Sequence, residues 1–402
     1  MKQPPLSTLA FGMLLCIAPA AAVRAQDWKL TSAPVGQWEG LACSVDAMKL
    51  VAAQYMSDSN HNPGWLYTST NSGTSWQPTS APRQFWERVV CSADGVHMAA
   101  AAYADANWNP GSIYLSSDSG QTWTVSSAPA QNWIGLASSV DAKRLFAVAW
   151  YGTVYVSTNF GQTWDASPAP VQYWHGLASS ADGKVLLAAG YGDANVNPER
   201  LWISQDGGAH WAPTSSQYDR WYGVACSADA TKMFAVTSTG LIFTSTDFGN
   251  SWTPRSAPDQ PWSAINCTAD GLSALAVAGN FSAGAIYVSS NGGKDWQPAN
   301  ATGYWTSTAG AADGSVLFAA EGGLATGGIW RWQAPPRLDI ATTGNQITIT
   351  WPASNGFVLQ HSTNSMSTNW ADAPVPARVD GNRALVSLSV TPGSHFYRLR
   401  SP

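Results

Sequence analysis

Residues 116–123 read SSDSGQTW. An acid, several hydroxyls and an indole lie within eight residues, which suits either a reacting site or a tight turn. The rest of the chain decides between them. The same spacing returns at 69–76 (STNSGTSW), 157–164 (STNFGQTW), 204–211 (SQDGGAHW), 245–252 (STDFGNSW) and 289–296 (SSNGGKDW). Six copies of S-x-[DN]-x-G-x-x-W, 41 to 47 residues apart, mean that one structural unit is repeated. Asp118 and Asn159 hold the same place in two copies. A reacting carboxylate could not be exchanged for an amide, whereas a turn uses either one to accept nearby backbone N–H groups. Gly supplies left-handed backbone and Trp a large apolar anchor. The motif reads as scaffold.

The rest of the unit repeats too. Each motif Trp is followed nine or ten residues later by a second one: Trp86, Trp133, Trp174, Trp221, Trp262 and Trp305. A short apolar run and an Asp turn come next, as in CSADG at 91–95 and SSADG at 179–183. Two more short apolar runs lead to the next motif. Four short strands separated by turn residues make a propeller blade. Trp38 begins one unit before the first motif, so the second Trp predicts seven blades. The unit that begins at Trp305 ends at 329–332 (IWRW) with no motif and no fourth strand of its own. Residues 27–34 (DWKLTSAP) read like the missing piece, and Trp28 stands ten residues before Trp38. The N-terminal segment is therefore expected to add the outer strand of the seventh blade, hiding a sheet edge.

The repeated motif resembles the Asp-box, or BNR repeat, over roughly residues 26–333. Asp-box propellers occur in sialidases, in xyloglucan-cleaving hydrolases, in the luminal domain of sortilin and in a photosystem II assembly factor. The resemblance implies an all-β, seven-bladed β-propeller with the motif on the face opposite the ligand. It implies no single function, because the family spans hydrolases, receptors and assembly factors. A sialidase would need an arginine triad, a Tyr–Glu nucleophile pair and an acidic partner. The usual Arg-Ile-Pro segment is absent, and Arg83, Arg88, Arg144, Arg200, Arg220 and Arg255 are scattered over the blades. The xyloglucan hydrolases use two propellers, and the repeats here make one.

Three sets of residues on the other face are candidates for function. The first is the ring of Trp38, Trp86, Trp133, Trp174, Trp221, Trp262 and Trp305. Their indoles suit stacking on a sugar or gripping a peptide, or else they plug the gaps between blades. The second is a longer connection between strands two and three in three units only, at 58–63 (DSNHNP), 105–110 (DANWNP) and 193–198 (DANVNP). Asp58, Asn60, Asn62, Asp105, Asn107, Asn109, Asp193, Asn195 and Asn197 place oxygens at alternate positions, as calcium loops do, although the closing Glu of an EF-hand is missing. Asp, Asn and Pro are equally ordinary in hairpin loops. The third set is Glu39 and Glu87, which follow the ring Trp in units one and two, with His175 and Tyr222 at the same place in units four and five. Two carboxyls across a cleft are what a glycoside hydrolase requires. A polar rim on the channel is the plainer account. The six His show no HExxH or similar metal spacing.

Composition points to an exported chain. Lys2, an apolar run over 9–22 and a small-residue site ending at Ala25 read as a cleaved signal peptide, residues 1–25. No later stretch is apolar for long enough to cross a membrane as a helix. Without Lys2 and Arg24 the formal net charge goes from −5 to −7, and charged residues make up only 11%. Nucleic acid, which needs clustered Lys and Arg, is not expected as a partner. Cys43, Cys91, Cys226 and Cys267 share one position of the unit. Sheets packed about 10 Å apart disfavour a disulfide, which needs Cα atoms within about 7 Å, so free thiols are expected. After Pro335-Pro336 the pattern changes to short alternating strands at 346–351, 357–361, 384–390 and 396–399. This segment, ending in FYRLR, resembles a small Ig-like or fibronectin III-like β-sandwich over 334–402, without the two Cys of antibody domains.

The expected protein is a secreted, periplasmic or cell-surface monomer. It binds a glycan or an exported or cell-envelope protein through the Trp-rich face, without catalysis and with no cofactor beyond the calcium candidates. The alternative is a glycoside hydrolase acting near Glu39 and Glu87.

Overall fold

The computed structural model describes residues 28–279, 282–323, 327–334, 338–343, 346–352, 357–363, 369–380, 383–389 and 395–400. The expected signal peptide lies outside them. The regular structure is strand throughout, with no helix among the described residues.

Residues 29–333 form seven antiparallel sheets. We number them I to VII by their inner strands: Gln37–Cys43, Phe85–Cys91, Trp133–Ser138, Gln172–Ser179, Trp221–Cys226, Trp262–Cys267 and Trp305–Gly310. Each inner strand packs against the next, and the first packs against the seventh, which closes a β-propeller. Two devices hold the closure. Lys29–Leu30 pairs with Ile329–Gln333, Lys29 opposite Arg331 and Leu30 opposite Trp330, so the N-terminal strand finishes sheet VII. Around the axis, backbone N–H groups donate from turn to turn: Val45 to Ala93, Ala93 to Val140, Val140 to Ala181, Ala181 to Ala228, Ala228 to Ala269, Ala269 to Ala312, and Ala312 back to Val45. These turns follow the inner strands, so this belt binds the sheets on the face that also carries the repeated motif.

The motif is the turn between third and fourth strands. Ser116 Oγ accepts the Gly120 N–H at 2.9 Å and donates to Asp118 Oδ1 at 2.8 Å, and Asp118 Oδ1 accepts the Thr122 N–H at 2.9 Å. Asn159 makes the same set with Ser157 and Thr163. Acid and amide are interchangeable because only an acceptor oxygen is needed. Gly120 has φ 84°, and a Cβ there would come within 2.6 Å of Thr68 in the preceding sheet. Both the backbone angle and the close approach therefore require glycine.

The ring tryptophans correct the expectation that they bind ligand. Trp38, Trp86, Trp133, Trp174, Trp221, Trp262 and Trp305 are all 0% exposed. They fill the gaps between sheets and are out of reach of anything on the face. Trp174, Trp262 and Trp305 donate their indole N–H to the carbonyls of Gly152, Gly240 and Gly284, each in the preceding repeat of the sequence. The indole N–H groups of Trp38, Trp86, Trp133 and Trp221 have no protein partner among the described residues. The four cysteines are free thiols. Burial pushes Cys43 and Cys226 up to about 12, so they are inert packing groups.

Two small sheets follow. One runs Asp339–Thr343, Gln346–Pro352, Arg383–Ser389, Arg378–Asp380; the other runs Ala371–Asp372, Val358–Ser362, Phe396–Arg400. Ile349, Trp351, Leu359, Val386 and Leu388 from both sheets share one apolar core.

Candidate functional site

Every inner strand slips its register immediately after the ring Trp. Such a bulge leaves one residue outside the ladder and re-aims its side chain. The seven residues placed there are Glu39, Glu87, Ile134, His175, Tyr222, Ser263 and Thr306. The geometry repeats while the chemistry does not. A second position behaves in the same way. The residue seventeen after each ring Trp is the next to last of the second strand or directly follows it. It is Tyr55, Tyr103, Trp150 and Tyr191 in sheets I to IV, then Ser238, Gly279 and Gly322 in sheets V to VII. One side of the channel mouth is therefore an aromatic arc and the other is open backbone.

The arc is linked ring to ring within each of two flanks. Tyr55 lies 6.4 Å from Tyr103 and 5.3 Å from Phe85, which stacks under Trp108 at 3.9 Å. On the other flank Trp150 lies 5.5 Å from Tyr191 and 5.4 Å from Tyr173, and the Arg220 guanidinium sits 5.1 Å over Tyr191. His175 packs on Tyr222 at 3.4 Å, and its Nδ1 is 3.0 Å from the Tyr222 carbonyl, so Nδ1 carries the proton.

The bulge side chains divide by their bonding. Ser263 Oγ donates to the Trp305 carbonyl and Thr306 Oγ1 to the Trp38 carbonyl, which ties neighbouring inner strands together. His175 does the same for sheets IV and V. Glu39 and Glu87, on adjacent sheets, each accept a hydrogen bond from a neighbour. Glu39 Oε1 accepts from Gln37 Nε2 at 2.9 Å. Arg88 Nη1 serves three acceptors: the Glu39 carbonyl at 2.7 Å, the Glu87 carbonyl at 3.0 Å and Glu87 Oε1 at 3.2 Å. The Glu87 and Arg88 side chains are 13% and 21% exposed, so the pair is sheltered yet reachable from the mouth.

Burial raises both carboxyls. It pushes Glu87 up to about 8, with the Glu39 charge adding and Arg88 opposing. Glu39 is raised for the same reason, with Arg88 and Gln37 opposing. Burial and the Arg88 charge push His175 down to about 3, so it is neutral. Desolvation, with both carboxylates nearby, also holds the Tyr55 phenol protonated. The structure thus pairs the four bulge residues expected from the sequence, Glu39 with Glu87 through Arg88 and His175 with Tyr222. It adds Arg88, Tyr55, Tyr103, Trp150 and Tyr191. The signal for the last four was a fixed spacing from a tryptophan already singled out.

The three long connections that carry the calcium candidates are closed by their own hydrogen bonds. Asp58 Oδ1 accepts the Asn60 N–H at 2.9 Å, and Asn62 Nδ2 donates to Asp58 Oδ2 at 2.9 Å. Asp105 takes the N–H groups of Asn107 and Asn109 and the Asn109 amide, and Asp193 does the same with Asn195 and Asn197. Each carboxylate accepts from N–H donors of its own loop. Among the described residues, no group of three or more His, Cys, Asp or Glu could hold a metal ion. The loops serve as rigid mounts. Their fourth residues, His61, Trp108 and Val196, have φ near 60° and stand at the tips. Trp108 is 55% and Val196 40% exposed.

Comparison with known proteins bears on the fold. The family described as "Sortilin, neurotensin receptor 3" matches over residues 199–315. No curated protein matches in sequence. The solved structure of YCF48 from Cyanidioschyzon merolae is similar with a TM-score of 0.58 and 15% identity, over 76% of this chain and 98% of that one. YCF48 bound to D1 peptide matches with a TM-score of 0.56 and 13% identity, over 76% and 97%. The GH74 xyloglucanase from Xanthomonas campestris matches with a TM-score of 0.55 and 14% identity, over 81% and 59%. At these identities the likeness is one of fold, and this chain shares the β-propeller with all three.

Proposed function

We propose that this chain is an exported, non-catalytic binding protein. In this reading it is a seven-bladed Asp-box propeller followed by a small Ig-like or fibronectin III-like module. It docks a segment of another exported or cell-envelope protein across the channel mouth. One observation carries the reading: a repeat that holds the rest of the unit constant puts aromatic residues at one position in four sheets and Ser or Gly in the other three. Half-buried aromatics on rigid strands are the side chains that protein interfaces draw on. The peptide held by one of the similar YCF48 structures supports the same use of this fold. The test pairs a displayed peptide library with a glycan array, both against residues 26–402. Selected peptides whose affinity falls in Tyr103→Ala and Trp150→Ala are the expected result. A defined glycan hit with no selected peptide would replace the protein partner by a sugar.

One observation favours a second reading. Glu87, pushed up to about 8 beside Glu39, keeps a proton at neutral pH, as the acid of a glycoside hydrolase must. Arg88, clasped to Glu87, opposes that use. Turnover of xyloglucan or an aryl glycoside, lost in both Glu39→Gln and Glu87→Gln, would establish the hydrolase.

A further inference from the structure

We infer that the docked segment presents a lysine or arginine side chain to Glu39 and Glu87 at the channel mouth. The inference rests on the docking reading above and names what is docked.

Charge balance comes first. The mouth holds two carboxyls, Glu39 and Glu87, and one cation, Arg88, paired with Glu87. Arg88 reaches only one of the four carboxylate oxygens, Glu87 Oε1. Gln37 takes a second, Glu39 Oε1. Among the described residues, Glu39 Oε2 and Glu87 Oε2 accept no protein hydrogen bond, while neither is sealed from solvent. Two acceptor oxygens on adjacent sheets therefore face an incoming donor.

The surroundings suit a cation. Tyr55 and Tyr103 stand on the side of sheets I and II, and aromatic faces attract ammonium and guanidinium groups. His175, across the mouth, is neutral and does not repel the guest. The remaining charged group on the strands packed against sheet I is Glu321, at the end of the second strand of sheet VII. The other arginines on this face are committed elsewhere: Arg83 to the Pro63 carbonyl and the Trp65 ring, Arg200 to the Tyr218 ring, and Arg220 to the Tyr191 ring and the Val196 carbonyl.

A linkage follows. Without a guest, a proton neutralises the second carboxyl, because burial opposes two charges there. A bound cation takes the place of that proton. Loading at neutral pH therefore releases a proton, and affinity rises with pH up to about 8 and levels off above it.

The test selects a random nine-residue peptide library on residues 26–402. The expected result is enrichment of Lys or Arg at one fixed position. Affinity for a selected peptide should fall roughly 10- to 100-fold in Glu39→Gln and in Glu87→Gln. Replacing the basic residue of the peptide by norleucine should cost as much and should abolish the proton release seen by calorimetry in two buffers at pH 7. Selected peptides with no basic preference, or with an acidic one, would overturn the inference and leave docking standing. No selected peptide would overturn both. Should a variant fail to melt like the parent, the parent decides alone: an affinity for the selected peptide that is flat from pH 6 to 8 overturns the inference.

Discussion

On one face, Ser116, Asp118 and Gly120 and their five counterparts repeat the same three hydrogen bonds, copy after copy. On the other, Glu39, Glu87, Ile134, His175, Tyr222, Ser263 and Thr306 occupy one bulge and have only that bulge in common. The contrast separates two kinds of constraint. A side chain that closes a turn must be the same in every copy, because each copy faces the same neighbour. A side chain that meets an outside partner meets a different part of it in every copy, so it is free to differ. Repetition marks the scaffold, and departure from repetition marks the surface to test.

The largest effect should come from the scaffold. Trp133→Ala removes a fully buried indole and should cost about 3–5 kcal/mol of stability in urea titration. A stable Trp133→Ala protein that had lost only peptide binding would break the division between faces. Next, Asp118→Ala strips the acceptor from Ser116 and Thr122 and should cost about 1–2 kcal/mol, with peptide affinity unchanged. Asp118→Asn should be close to neutral, because Asn159 already works that way. On the mouth face the order reverses. Trp108→Ala, at an exposed loop tip, should change stability by about 0.5 kcal/mol or less while weakening peptide binding.

The two faces should also answer pH with opposite sign. On the motif face, His210 and a backbone amide pull Asp206 down to about 2, and the Ser227 hydroxyl with Thr231 does the same for Asp229. An unfolded Asp titrates near about 3.9, so these groups add stability that is present above that value and lost as pH falls toward 2. Glu87 runs the other way. Its folded value of about 8 lies above an unfolded value of about 4.3, so its contribution is complete below 4.3 and is lost as pH rises toward 8. Urea midpoints from pH 2 to 9 should therefore fall at both ends. Glu87→Gln should flatten only the neutral side, and Asp229→Asn should soften only the acid side.

Much of the architecture was legible because the motif recurs. Six copies gave the unit, and the missing seventh pointed to the N-terminal strand that pairs with Ile329–Gln333. The ring tryptophans were placed correctly along the chain, but a sequence position does not say whether an indole points into a gap or onto a face. Their sevenfold recurrence was the sign of a gap. The Asp and Asn loops were visible as loops, whereas the direction of their hydrogen bonds was not. Glu39 and Glu87 were found without their bulge, since a register slip belongs to two strands at once. Tyr55, Tyr103, Trp150 and Tyr191 were missed although each stands seventeen residues after its Trp. In the C-terminal part, Asp339–Thr343 and Arg378–Asp380 are exposed along their length and carry no alternation to read.

The central claim is that the unequal face binds and the repeated face does not. Amide hydrogen exchange with and without a selected peptide tests it most directly. The account predicts new protection at 58–63, 105–110 and 193–198 and around Glu39, Glu87 and His175, with the motif turns unchanged. Protection confined to 69–76, 116–123 and their counterparts would contradict it.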